Sequence, residues 1–291
     1  METTELLKKV RKIEIRTKGL VNQIFSGEYH SVFKGRGMTF SEVREYQFGD
    51  DIRMIDWNVS ARFNHPFIKV FEEERELTVM LLVDVSGSGE FGTVHQMKKE
   101  IATELCAVLA FSAIQNNDKV GVILFSDVVE KFIPPKKGRT HILRIVRELL
   151  DFQPARRGTN IEEGLRYLTS AIKKRSIAFL ISDFLGEGYD DALKIAAKKH
   201  DLIGVHVYDP RETELPPSGI LRVLDAETGE AAWVDSGDRA VRNGYARWWK
   251  EQEESRTKLF RRSGVDAIEI RTDRSYIQPL VAFFQTRGKR W

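Results

Sequence analysis

From residue 77 onward the chain alternates short apolar runs with helical stretches, and the first run is Leu77-Thr78-Val79-Met80-Leu81-Leu82-Val83. A strand with apolar side chains on both faces needs cover on both, so this run predicts a central strand packed between helices. The pattern continues with a helix near 95 to 116, strands at 120 to 125 and 128 to 133, and helices near 139 to 151 and 161 to 174. A strand at 177 to 182, a helix at 189 to 200 and a strand at 202 to 208 follow. Such alternation predicts an α/β fold with a mostly parallel sheet and helices on both faces. Only Ser126-Asp127 separates two of these strands, and two residues join strands only as an antiparallel hairpin. One edge strand therefore runs backwards.

Beyond residue 208, the stretch Arg222 to Val234 places turn residues around Gly229 between strand formers, which predicts an inserted β-hairpin near 220 to 235, within about 210 to 237. A long helix with Val241, Tyr245, Trp248, Leu259 and Phe260 on or near one stripe comes next, then a strand at 265 to 270 and a closing helix from Ser275. Residues 1 to 76 read as a separate helical and irregular segment ahead of a main domain at 77 to 291. Its start, residues 3 to 25, carries Leu6, Val10, Ile13, Leu20, Val21 and Ile24 at mostly helical spacing with lysines and arginines between them, as in an amphipathic helix with a charged face. A basic face of this kind, densest over residues 8 to 18, raises a membrane-surface adaptor as a minor reading.

Composition removes several function classes. With 46 Lys and Arg against 43 Asp and Glu, the formal charge of +3 is spread along the chain, so no arm is built for a polyanion and nucleic acid is not the expected partner. The single cysteine, Cys106, lies in the apolar run 105 to 109, which fits a buried thiol in a reducing compartment and excludes zinc ribbons and CxxC redox chemistry. No run approaches 18 apolar residues, and the start Met1-Glu2-Thr3-Thr4-Glu5 lacks the basic-then-apolar pattern of a secretory signal. A cytoplasmic protein without a membrane span is expected.

The chemistry-bearing residues follow the strands. Asp84-Val85-Ser86-Gly87-Ser88 puts a carboxylate and two hydroxyls on one loop at the carboxyl end of the first central strand, where open α/β sheets bind ligands. Hard oxygen donors of this kind suit magnesium or manganese. Arg157-Gly158-Thr159-Asn160 before a helix and Ser182-Asp183-Phe184 after a strand add further oxygen donors. The formal G-x-G-x-x-G at 87 to 92 is a poor dinucleotide site, since Asp84 and Ser86 would crowd a pyrophosphate and the next strand-end acid, Asp127, comes 35 residues after Gly92. The histidines at 30, 65, 95, 141, 200 and 206 form no ligand-spaced pair, and neither serine lies in a G-x-S-x-G elbow.

Asp84, Ser86, Ser88, Thr159 and Asp183, in this order and on these elements, resemble the metal-ion-dependent adhesion site (MIDAS) of von Willebrand factor type A domains, over about residues 77 to 291. The resemblance implies Ser86, Ser88 and Thr159 as direct or near-direct ligands of Mg2+ or Mn2+. It gives Asp84 and Asp183 an indirect hold through waters and hydrogen bonds, and leaves one position for a partner's Glu or Asp. Arg157 stands where that family often has glycine, and Phe184 follows the aspartate where glycine is common. The stretch Arg44 to Arg62 is similar to the bacterial family of unknown function DUF58, which couples such a segment to a von Willebrand A domain and is associated with MoxR-type AAA+ ATPases. Its interleaved arginines and Asp50, Asp51 and Asp56 suggest a charge-assisted network bracing that segment. The expected function is a non-enzymatic, metal-dependent protein-interaction module. The alternative, a metal-dependent hydrolase on the same site, would need Asp127 or Glu162 as its proton acceptor.

Overall fold

The computed structural model describes residues 10, 11, 13, 14, 39–72, 77–93 and 96–288. The basic helix expected over residues 3 to 25 falls almost entirely outside the described residues, as do His30, His95 and Trp291. The chain divides into two compact units, one spanning Phe33–Leu77 and the other formed by the residues on either side of it.

In the smaller unit, strand β1 (Thr39–Glu45) pairs antiparallel with β2 (Phe67–Glu72), and a 3-10 turn (Ile52–Met54) and helix α1 (Trp57–Phe63) lie between them. The segment expected to be irregular is thus largely regular, because its acids cap helical ends. Asp51 accepts the Arg53 N–H at 3.0 Å, and Asp56 accepts those of Asn58 and Val59 at 3.0 and 3.3 Å. Of the anticipated arginine–aspartate network, one pair forms: Arg44 grips Asp50 through two bonds of 2.8 and 2.7 Å. The cation beside Asp56 is Lys69, at 3.5 Å.

The larger unit is built on a six-stranded sheet. In spatial order its strands are β10 (Asp266–Arg271), β7 (Asp201–Tyr208), β6 (Ile177–Ser182), β3 (Thr78–Asp84), β4 (Lys119–Phe125) and β5 (Val129–Lys136). All neighbours are parallel except β4 and β5. The reversed edge strand is the one anticipated, but its link has three residues rather than two. Ser126 N–H bonds the carbonyl of Val128 at 2.8 Å, which delays the start of β5.

Met80, Leu82, Ile123 and Phe125 join Ile161, Leu165, Leu168 and Leu193 in one apolar cluster, so helices α4 (Ile161–Ala171) and α5 (Asp190–Lys199) cover that face. Alternation sends Val79, Leu81 and Val83 the other way, where α2 (Lys98–Gln115) packs on β3 and β4 and pairs with α3 (Arg139–Asp151). Helix α2 is apolar around its whole circumference, with Ile101, Leu105, Cys106, Val108 and Leu109 all buried, as a helix enclosed on every side must be. Burial holds the Cys106 thiol far above its ordinary pKa, so it is an inert part of the core.

A short helix α6 (Pro210–Thr213) precedes the predicted hairpin, which is β8 (Ile220–Leu224) paired antiparallel with β9 (Ala231–Asp235). Helices α7 (Arg239–Ser263) and α8 (Ile277–Gly288) flank β10 in sequence. The stripe expected on α7 holds only in part: Leu259 and Phe260 are buried, but Val241 and Trp248 are 37% and 43% exposed and Trp249 is the buried tryptophan. Among the described residues no helix is long and apolar enough to cross a membrane.

Candidate metal centre

Strands β3 and β6 are parallel neighbours, so Asp84 at the end of β3 and Asp183 just after β6 emerge together at the carboxyl edge of the sheet. The chain leaves β3 into a 3-10 turn (Gly87–Glu90), and this places two hydroxyls against the acids. The N–H of Ser86 donates to Asp84 Oδ1 at 3.0 Å, and Ser86 Oγ lies 3.1 Å from Ser88 Oγ. Ser182 Oγ donates to the other Asp84 oxygen at 2.6 Å, and the Ser88 hydroxyl supports the charged form of Asp183. Four of the five residues singled out in the sequence are thereby linked.

Thr159, the fifth, sits on the loop before α4. That loop is tied to the serine turn by a bond from Gly87 N–H to the Arg157 carbonyl at 2.8 Å. The Thr159 hydroxyl itself donates to Glu227 Oε1 at 2.6 Å.

Phe184 explains why glycine would be at home after the aspartate. Its φ is +58°, in the left-handed region that side chains avoid, and the bend lets the N–H groups of Phe184 and Leu185 turn back onto Ser182 Oγ at 3.1 Å and Asp183 Oδ1 at 3.3 Å. A strain of roughly 1 kcal/mol or more is offset by packing: the buried ring meets Phe260 edge-on at 5.0 Å and lies near Tyr189 and His206.

Two residues at the site escaped the sequence reading. Lys98, at the start of α2, donates to Asp183 Oδ2 at 2.9 Å and to Glu212 Oε1 at 2.6 Å, and all three side chains are nearly or largely buried. Nothing in the sequence near Lys98 sets it apart from other helix lysines. Glu212 did carry a signal, because Asp209-Pro210-Arg211-Glu212 is a capping box with proline at the first helical position.

Burial and then the negative charge of Asp183 raise the pKa of Asp84. For Asp183 burial works the same way, but Lys98, the Ser88 hydroxyl and the Leu185 N–H together hold the carboxyl below its ordinary range. Burial also raises Glu212 despite Lys98. Asp183 and Glu212 therefore share one ammonium, and with Asp84 beside Asp183 the group carries a formal charge of −2 when all three carboxylates are ionised.

Among the described residues no group of three or more His, Cys, Asp or Glu is placed to hold a metal. What the chain presents is a hydroxyl-rich oxygen set with excess negative charge beside a cavity of about 30 Å³ lined by Asp84, Ser88, Lys98, Ser182 and Asp183. These residues fit a small, hard divalent cation that keeps part of its water. The two acids considered as proton acceptors are engaged elsewhere: Asp127 with Arg156 at 3.0 Å and Glu162 with Arg166 at 2.7 Å.

The chain is 29% identical to the uncharacterized protein Rv1480 of Mycobacterium tuberculosis over 292 residues, which covers 99% of this chain and 92% of the relative. Solved structures similar to it include the conserved hypothetical protein BatB from Bacteroides thetaiotaomicron, at 20% identity and a TM-score of 0.48, covering 74% of this chain and 100% of that one. The VWA domain of SpRpn10 is more distant, at 11% identity and a TM-score of 0.40, covering 71% and 94%. The chain itself shows a mixed α/β fold, with a mostly parallel sheet and one reversed edge strand. Residues 42–255, more than half of the chain, match the family described as "Protein of unknown function DUF58", and the chain belongs to that family.

Proposed function

We propose that the chain is a cytoplasmic, metal-dependent protein-interaction module whose centre is Asp84, Ser86, Ser88, Thr159 and Asp183. The observation that carries this reading is the linked set of Asp84, Ser86, Ser88, Ser182 and Asp183 at the carboxyl edge of β3 and β6, of which Ser86, Ser182 and Asp183 are buried. Ser86, Ser88 and Thr159 would hold Mg2+ or Mn2+, and Asp84 and Asp183 would balance its charge. When bound, the ion supplies positive charge that a partner's Glu or Asp completes, a charge-assisted contact suited to a binding hot spot.

The protein's own contribution is positioning. Ser182 and the Ser86 N–H fix the two oxygens of Asp84, Leu185 N–H and Lys98 fix those of Asp183, and the left-handed Phe184 shapes the loop between. A MoxR-type AAA+ ATPase is the partner that the DUF58 resemblance suggests. A hydrolase on the same site would need an acceptor beside the ion, and Asp127 and Glu162 are both held in arginine pairs, so no turnover on a phosphoester panel is expected.

The test is a pull-down from the source organism in Mg2+. Capture that disappears with EDTA and with Asp84→Ala supports the module. Capture indifferent to both ends this reading.

A further inference from the structure

The hairpin β8–β9 is seated on the metal centre rather than projecting from it. Its tip carbonyl, that of Ala226, occupies the space any side chain at position 87 would need, and so touches the turn between Ser86 and Ser88. One residue later the Glu227 carboxylate takes the hydrogen bond of Thr159 Oγ1 at 2.6 Å. The tip thus meets both loops that carry the three hydroxyls.

It is also held in shape. Asp225 Oδ1 accepts the N–H groups of Glu227 and Thr228 at 2.8 and 3.2 Å, Gly229 turns the chain at φ +75°, and Glu230 N–H bonds Thr228 Oγ1 at 3.2 Å. At the base of the hairpin, buried Ser236 donates to the Gly219 carbonyl at 2.7 Å and accepts the Ser218 N–H at 3.2 Å. An exposed acid on a braced tip, with its carboxylate on a hydroxyl of the centre, has the chemistry that the open position calls for.

Resting on the metal-centre reading above, we propose that Glu227 is the chain's own carboxylate ligand of that centre. A partner's acidic residue gains access only by displacing it. Thr159 hands Glu227 toward the ion, and Gly87 is required because the tip could not seat against a larger residue. The hairpin therefore sets a threshold: a lone carboxylate competes poorly with Glu227, and a partner must add contacts that lift or replace the tip.

Mn2+ alone is the first probe, read by calorimetry and by the water-proton relaxation of the bound ion, on the full chain, Glu227→Gln and Ser86→Ala. Glu227 is exposed, so the glutamine variant leaves the core untouched. The expected result is that Glu227→Gln binds Mn2+ about 10–100-fold more weakly and shows greater relaxation from an added water. Acetate should lower that relaxation in the variant at concentrations that leave the wild type unchanged. Equal affinity, equal relaxation and equal acetate response in wild type and Glu227→Gln, with binding lost in Ser86→Ala, would overturn the role of Glu227 while leaving the metal centre standing. No Mn2+ binding by the wild type would remove the centre and this proposal with it.

Discussion

Replacing Lys98 by methionine keeps the length and apolar stem of the side chain and deletes one buried charge. The Lys98, Asp183 and Glu212 side chains are only 5%, 4% and 13% exposed, so the two acids lose their counter-ion in a place that water hardly reaches. Breaking a buried pair from one side costs about 3–5 kcal/mol. An independent estimate agrees: a carboxylate that escapes by taking a proton at pH 7 does so about three units above its ordinary pKa, at roughly 1.4 kcal/mol per unit, or about 4 kcal/mol. A chain of this size loses about 2–4 °C of melting temperature per kcal/mol, so Lys98→Met should melt on the order of 10 °C lower. By contrast Lys258→Met, in an exposed helix pair with Glu254 at 3.4 Å, should change stability by less than about 0.5 kcal/mol. Urea unfolding in EDTA is the assay, with Glu212→Gln and the double variant completing a cycle. Because Lys98 and Glu212 are in contact, the double variant should fall short of additivity by about 1 kcal/mol or more. A cost below about 1 kcal/mol for Lys98→Met, or strict additivity, would refute the account of a shared buried cation.

Divalent metal at 100 times its dissociation constant should stabilise the wild type by about 2.7 kcal/mol, Mg2+ or Mn2+ more effectively than Ca2+, and Ser86→Ala should lose this gain in thermal melts without unfolding. Gly204→Ala in β7 would put a β-carbon 2.8 Å from Phe260 Cζ and closer still to its neighbour, so equilibrium unfolding should register a loss of about 1–3 kcal/mol. His200, fully buried with its Nδ1 2.9 Å from Ser176 Oγ, has its pKa lowered to about 4 by burial and then by Lys199 and Arg175. Its depressed folded value means the unfolded chain binds the extra proton between pH 6.5 and 4. The stabilisation of roughly 3 kcal/mol is therefore complete above pH 6.5 and lost as pH falls toward 4. His200→Gln should flatten that part of the stability profile, and an unchanged slope would assign it to other groups.

The layers of the larger unit can be read from the order of its residues, and so can the places of most residues of the proposed centre. Continuous apolar runs such as 78–84 and 177–182 are legible because a strand covered on both faces must be apolar throughout, and a link as short as Ser126–Val128 leaves only an antiparallel turn. Asp84, Ser86, Ser88 and Asp183 were legible for the same reason: they follow those strands directly, so the strand that fixes the sheet also fixes where they emerge. Tertiary structure decided what stands opposite them. Lys98 is 85 residues from Asp183 and 114 from Glu212, and Glu227 is 68 from Thr159. Local spacing says nothing about such pairs, because their meeting depends on how α2 lies across the sheet and where the β8–β9 tip comes to rest. The smaller unit shows the same division on a shorter scale. Its acids were visible, but whether Asp51 and Asp56 would pair with arginines or cap helices was settled only when α1 and the 3-10 turn offered backbone N–H groups closer than any guanidinium.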